Sequence, residues 1–392
     1  MYLLLVDHFA STVRGLFLSP GGLARGADCV SLAAEPIPPG AAAAVEVLEA
    51  PEGARVRRLE VIESLSGAPD AWRTLEVDLT PETIFVGALG GRFANRSVSG
   101  HAPPSPAPPG SVLDLLNTGG VIGVADSADE AVVKVRLLGG IELEGGPALL
   151  SGLPSIQGEA AHAGDQPYPG APIVLIAGSD MDVGKTTCAA SLAFSLRVAG
   201  IRVTYVKLTG TGRMRDLIQV CYGRPSGYFD SHRLGWDFVD AGLATTFEIG
   251  ERESRRCARI LLRHAAQHGE IVLAEIADAP NAPGSIHTAT DPWLLGWLRW
   301  RGLVICACDS LDSTLTVLWL KSHVEIENKS ILISGRVANN PAMRKEVERM
   351  TGMLAVSCTA PGRMSPHGGQ APGGALADWV IRHVISLRKA IE

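Results

Sequence analysis

A decapeptide near the middle of the chain, Gly178-Ser179-Asp180-Met181-Asp182-Val183-Gly184-Lys185-Thr186-Thr187, combines glycines, a lysine and two hydroxyls at a spacing suited to phosphate chemistry. It follows the apolar run Ile173-Val-Leu-Ile-Ala177 and opens a segment with helical spacing, Thr187 to Val198. A glycine loop between a buried strand and a helix N-terminus offers backbone N–H groups and the positive end of the helix dipole to phosphate oxygens. Lys185 then supplies a point charge for the β- and γ-phosphates of ATP, and the Thr186 hydroxyl suits Mg²⁺. Five residues separate Gly178 from Gly184, one more than the usual phosphate loop has.

Other groups fall where strands should end. Arg202-Val-Thr-Tyr-Val-Lys207 reads as a strand with Lys207 at its carboxyl end, the side of an open α/β sheet on which ligands bind. A second cation there can stabilise the charge of a transferring phosphoryl group. Ile271-Val-Leu-Ala-Glu275 ends in a carboxylate, and Mg²⁺ takes one or two carboxylates beside a loop hydroxyl. The metal expectation is thus Thr186 and Glu275, with a further carboxylate in or near Trp236 to Gly242, where Asp230, Asp237 and Asp240 compete and His232 lies nearby.

The loop resembles that of dethiobiotin synthetase, Gly-Thr-Asp-Thr-x-Val-Gly-Lys-Thr, and Tyr205-Val-Lys-Leu-Thr-Gly-Thr-Gly212 is similar to the family's Lys-Pro-Val-x-Ser/Thr-Gly stretch. The resemblance covers residues 172 to 361. It implies that Lys207, with Lys185 and Asp182, serves catalysis as ATP activates a carboxylated amine, that Thr209 and Thr211 face substrate, and that Asn339 in Val337-Ala-Asn339 reads the adenine edge. Asn-Asn-Pro341 is equally an ordinary turn. The family carries a glutamate followed by Gly-Ala-Gly or Gly-Gln-Gly where this chain has Glu275-Ile-Ala-Asp278, so the glycine turn is missing. Trp236-Asp-Phe-Val-Asp-Ala-Gly242 resembles Asp-Phe-Val-Ala-Gly-Ala in a little-characterised two-domain group of prokaryotic P-loop proteins related to that family, which favours Asp237 as the metal ligand.

The elements that must position these groups read as β-strands alternating with helix-length segments, Leu303 to Cys308 and Ser330 to Ser334 supplying further strands and Leu354 to Pro361 the last. The expected fold is a doubly wound α/β P-loop domain with a parallel sheet, over residues 172–392. Residues 1–157 are expected to form a smaller α/β or α+β domain with short strands at Tyr2 to Val6, Val56 to Ile62, Thr83 to Gly87, Val121 to Ala125 and Val132 to Leu138. The Pro/Gly-rich residues 158–171 read as a linker. Glycine clusters at Ile84 to Gly91 and Asn117 to Gly123 suit either tight turns or close approach to a ligand. Residues Gly362 to Gly374 read as a lid-like or disordered segment before a terminal helix from Ala375 to Leu387.

Composition sets the remaining bounds. The 392 residues carry a formal net charge of −6, without the basic excess of a nucleic-acid binder. Seven scattered cysteines read as reduced and buried, and Cys306-Ala-Cys308 as strand packing rather than a metal site. The N-terminal apolar run is too short for a signal peptide, and no run is long enough to cross a membrane, so a cytoplasmic protein is expected. The function expected first is an ATP- and Mg²⁺-dependent ligase-like enzyme that phosphorylates a carboxylate or carbamate of a small-molecule substrate for capture by a nucleophile, with homodimerisation implied by the resemblance. A nucleotide-driven switch of the metallochaperone or partitioning type is the alternative, and a small-molecule kinase a third.

Overall fold

The computed structural model describes residues 4–5, 32–33, 35–62, 71–95, 97–127, 132–143, 146–147, 156, 170–211, 214–222, 235–238, 240–243, 245–298, 302–306, 309–358 and 374–385. The chain divides into two compact units. The first comprises Met1–Glu159 with Thr211–Arg215 and Phe238–Ile249, and the second Ala160–Gly210, Asp216–Asp237 and Gly250–Glu392. Each unit therefore takes its residues from more than one stretch of sequence.

In the first unit the described residues before Ile156 form strands and turns and no helix. Each expected strand overlaps a strand of the described residues, that at Tyr2 to Val6 only over Leu4–Leu5, and helices of this unit fall in none of them before Ile156. Strands β1 (Leu4–Leu5), β2 (Leu32–Ala33), β3 (Ala42–Glu49), β6 (Ile84–Leu89), β7 (Ser99–His101), β8 (Val112–Leu115), β9 (Val121–Ser127), β10 (Lys134–Leu143) and β11 (Gly146–Pro147) join in one sheet. Because β6 pairs with both β3 and β9, the path β6-β3-β10-β8-β9 closes on itself. Closure removes the unpaired edges that an open sheet exposes. Ala42 to Val45, Val47, Phe85, Leu113, Ile122, Val135 and Leu137 are buried in one hydrophobic cluster around it. A separate hairpin joins β4 (Arg55–Ile62) to β5 (Ala71–Asp78).

The two glycine clusters meet where the sheet closes. A side chain on Gly87 would strike the Gly120 carbonyl and Ile122, and one on Gly123 would strike the carbonyls of His101 and Gly90. These glycines serve strand crossing. Nearby, His101 hydrogen-bonds Glu248 through Nδ1, with its Nε2 3.0 Å from Asp126, and Glu248 also accepts from the Ala102 N–H at 2.9 Å.

In the second unit, seven strands run parallel in the order β14 (Gly235–Asp237), β13 (Val203–Lys207), β15 (Ile271–Glu275), β12 (Ile173–Gly178), β16 (Gly302–Cys306), β17 (Ile331–Ser334), β18 (Leu354–Ala355). Continuous burial of β12, β13 and β15 matches a sheet covered on both faces. Between them run helices α1 (Lys185–Val198), α2 (Met214–Tyr222), α3 (Glu251–His268), α4 (Ile286–Ala289), α5 (Pro292–Leu298), α6 (Ser310–His323), α7 (Arg336–Asn339), α8 (Pro341–Thr351) and α9 (Gly374–Val380). This is the doubly wound P-loop architecture. The terminal helix starts at Gly374 and passes into a π-helical turn over Ile381–Ile385. Cys188, Cys221, Cys257 and Cys358 are free and buried. Cys29, Cys308 and residues 359–373 lie outside the described residues.

The hydrogen bond to Glu248, opposed by partial desolvation and assisted by the charges of Glu248 and Asp126, raises the His101 imidazole above its ordinary value of 6.5. The stability this gives is complete below pH 6.5 and is lost as pH rises through the raised value. Thermal melts of the chain from pH 5 to 9 should therefore show a downward step above pH 6.5 that Glu248→Gln flattens. A step of the same size in the variant would show that this contact does not set the titration.

Candidate functional site

Lys207, Glu275 and Ile176 lie in register at the carboxyl ends of β13, β15 and β12, and Asp237 lies in register with Lys207 in β14. The phosphate loop rises from β12 into this row. Asp182 and Gly184 take left-handed φ values of 57° and 104°, so the extra residue of the loop is accommodated by local reversals of the backbone. Helix α1 begins at Lys185 with no side-chain cap and no acidic residue in its first turn. Its first N–H groups therefore point at the loop without a side-chain acceptor, which is the arrangement that suits an anion.

Val183 is fully buried inside the loop, and its carbonyl accepts from the Arg336 N–H at 3.2 Å. A side chain on Gly184 would stand 3.4 Å from the Gly335 Cα. The loop is thus held against the start of α7, the helix that carries Asn339. Asn339 is exposed, with its Oδ1 accepting from Ser357 Oγ at 2.7 Å. Asn340 performs the turn's work instead, capping α8 through the N–H groups of Ala342 and Met343 with Pro341 in the first turn. The cap of α8 is thus made by Asn340 and not by Asn339.

Lys185 is only 6% exposed and donates to the carbonyls of Asp180 at 2.5 Å and Asp278 at 3.1 Å. Asp180 itself turns its carboxylate to the Met181 N–H at 2.7 Å. Thr186 donates to Glu275 Oε1 at 3.0 Å, and Tyr205 donates to Glu275 Oε2 at 3.0 Å. Burial raises the Glu275 carboxyl above its ordinary 4.5, partly offset by Lys207, and Asp216 adds to the rise while Lys185 and the Tyr205 hydrogen bond oppose it. Ser179 Oγ is buried and, among the described residues, without a hydrogen-bond partner.

Lys207 pairs with Asp216 of α2, and both side chains are largely buried. Thr209, expected to face substrate, is fully buried; it accepts from the Ala277 N–H at 2.9 Å and shares a hydrogen bond with Ser285 at 2.9 Å. Thr211 belongs to the first unit, where it bridges Thr245. Thr209 belongs to the second unit. Asp240 also belongs to the first unit, and Asp230 and His232 lie outside the described residues.

The residues after Glu275, which include no glycine, still reach the left-handed region. Asp278, third after Glu275, has φ 50° and occupies the left-handed region that glycine favours, and aspartate is among the few side chains that tolerate it. Sequence inspection missed Asp216, Tyr205 and Asp278. Tyr205 could have been found as the period-two neighbour of Lys207 on the same strand face.

The hydroxyl and carboxylate of Thr186 and Glu275 form a hard oxygen pair of the kind Mg²⁺ takes, and the orphaned Ser179 hydroxyl lies in the same loop, so these residues fit the metal–nucleotide pair. Asp237, fully buried, stands two strands from Glu275, about 10 Å at the backbone. Among the described residues no group of three or more His, Cys, Asp or Glu side chains could by itself hold a metal ion.

No protein-family profile and no curated protein matches the chain. Among solved structures, a ParA family ATPase from Chlorobium tepidum is similar at 15% identity and TM-score 0.31, over 57% of this chain and 94% of that one. A DUF1611-family protein from Anabaena variabilis has 15% identity and TM-score 0.34 over 54% of this chain, which spans only 57% of that protein. The cell division ATPase MinD of Pyrococcus furiosus has 11% identity and TM-score 0.32, over 56% of this chain and 99% of that one. No helix among the described residues is long and apolar enough to cross a membrane.

Two outcomes follow from this geometry. Lys185→Ala should weaken ATP binding by about 100-fold, the value of a charge-assisted contact of ~3 kcal/mol, while the chain stays folded. Calorimetry showing unchanged affinity in folded protein would contradict the loop's role. Glu275→Gln should remove most of the Mg²⁺ dependence of nucleotide affinity, and Asp237→Asn less of it. Because a ligand carboxylate must be ionised, wild-type Mg²⁺ affinity should begin to fall at a pH above 4.5, and E275Q should lack that titration.

Proposed function

We propose that this chain is a Mg²⁺-dependent nucleoside-triphosphatase, with ATP as the nucleotide, in which occupancy of the phosphate loop is read out by the segment Ile276 to Ser285. The observation that carries this reading is the double contact of Lys185. Its ammonium ties the loop's Asp180 carbonyl to the Asp278 carbonyl in the strained turn after β15. A β- or γ-phosphate competes for the same ammonium, so nucleotide and segment are coupled through one charge.

The segment is also anchored beyond the Lys185 contact. At its far end the Ser285 hydroxyl donates to the Ala277 carbonyl at 2.8 Å and meets Thr209. Beyond it, Ser254 meets Thr288 at 2.9 Å, and Arg259 grips the buried Asp291 through two contacts of 2.6 and 2.9 Å. The stretch from Asp278 to Gly284 between these anchors is the part that Lys185 restrains.

In this role, Thr186 and Glu275 would hold Mg²⁺, Lys185 and the loop N–H groups would hold the phosphates, and Asn339 would face the base. Bound Mg²⁺ supplies charge neutralisation for the phosphoryl oxygens. A protein partner, including a second copy of the chain, would sense the segment. The ligase-like activity is the second reading, supported by the position of Lys207 in register with Glu275 at the strand ends, where a carboxylate substrate would meet the phosphate.

The readings separate in two measurements. Hydrogen exchange of residues 278–284 should change on adding Mg²⁺ and a non-hydrolysable ATP analogue, and should change less in Lys185→Ala. Lys207→Met should leave basal ATP hydrolysis per folded molecule nearly unaltered, whereas ligase-type chemistry at Lys207 requires a fall in kcat of about 10² or more. Invariant exchange across 278–284, with nucleotide demonstrably bound, would overturn the switch reading.

A further inference from the structure

Tyr205 is among the largest fully buried side chains in the protein, in a strand where all five residues are buried. On the sheet face that it shares with Val203 and Lys207, the neighbouring strand contributes Ile271, Leu273 and Glu275. Packing alone would be served by phenylalanine, so the hydroxyl calls for its own reason. That hydroxyl donates to Glu275 Oε2 at 3.0 Å, while Thr186 donates to Glu275 Oε1 at 3.0 Å.

With one donor on each oxygen, rotation of the carboxylate about its last bond is fixed. Oε1 stays turned toward Thr186 and the phosphate loop. We infer that Tyr205 is a positioning residue for Mg²⁺ binding, acting through Glu275 to hold one carboxylate oxygen toward the loop threonine. This rests on the reading of Thr186 and Glu275 as the cation site.

Competing contacts explain why a positioner is needed here. Lys207 lies in the adjacent register position, and its charge draws on Glu275. Without the phenol, Oε2 is free to turn toward that ammonium and take Oε1 away from Thr186. Burial and the neighbouring Glu275 and Asp216 carboxylates push the Tyr205 phenol well above its ordinary value of 10.0, so it stays a donor. Partners outside the first set of metal ligands commonly change metal affinity 10- to 100-fold when removed, by the measure of about that range in known sites.

The test compares Tyr205→Phe, Glu275→Gln and the double variant by calorimetry of ATP binding, with Mg²⁺ and with a chelator. Y205F should lose about 10- to 100-fold in Mg²⁺ affinity, keep its metal-free ATP affinity, and add nothing to E275Q in the double variant. A merely structural tyrosine would instead lower the melting temperature and leave the Mg²⁺ dependence at the wild-type level, which would overturn the inference. If E275Q itself keeps the wild-type Mg²⁺ dependence, the cation-site reading falls as well. Were Y205F not to fold, 3-fluorotyrosine placed at position 205 alone provides the readout. Its fluorine resonance should shift when Mg²⁺ is added to the ATP complex and not in E275Q, and an unmoved resonance would overturn the inference.

Discussion

Burying a carboxylate costs several kcal/mol unless donors and opposite charges engage it, and Glu275, 2% exposed, meets that cost with two hydroxyls and the fields of two lysines. The compensating groups come from two elements: Lys185 and Thr186 from the start of α1, and Tyr205 and Lys207 from β13. One buried charge therefore fixes the relation of the loop, the helix and two central strands. The register of β12, β13 and β15 brings these groups together at one level.

The same economy governs the lysines. Lys207 is largely buried and has Asp216 as counter-ion, while Lys185 is satisfied by two backbone carbonyls. Helix α2, which carries Asp216, is tied at its other end by Arg197 of α1, which donates to the carbonyls of Val220 and Cys221 at 3.2 and 2.6 Å. The elements around the phosphate loop are therefore linked by charge and hydrogen bonds rather than by apolar contact alone. Carbonyl ligands of a lysine are exchangeable for phosphate at modest cost, because both sides of the exchange are charge-assisted.

The phosphate loop was legible in the sequence because its requirements are local. A left-handed Gly184, an ammonium and a hydroxyl must follow one another within a few residues of a buried strand. Lys207 and Glu275 were legible as the last residues of apolar runs. Asp216 was not, because its link to Lys207 passes through a helix whose start no residue pattern marks. The left-handed turn after Glu275 was not legible for a related reason: glycine advertises such a position, and Asp278 adopts it without that sign. In the first unit, Ala42 to Glu49 was not foreseen as a strand. Three successive alanines favour helix by intrinsic propensity, yet here they pair within a closing sheet between β6 and β10, where tertiary contacts override that preference.

The central claim is that Thr186 and Glu275 together form the cation site beside the bound triphosphate. Crystals grown with Mn²⁺ and a non-hydrolysable ATP analogue test it through the anomalous signal of the metal. The account predicts a peak bonded to the Thr186 hydroxyl, with Glu275 reaching it directly or through one water and Tyr205 still on the other carboxylate oxygen. A peak held by Asp237 and distant from Thr186 would contradict it.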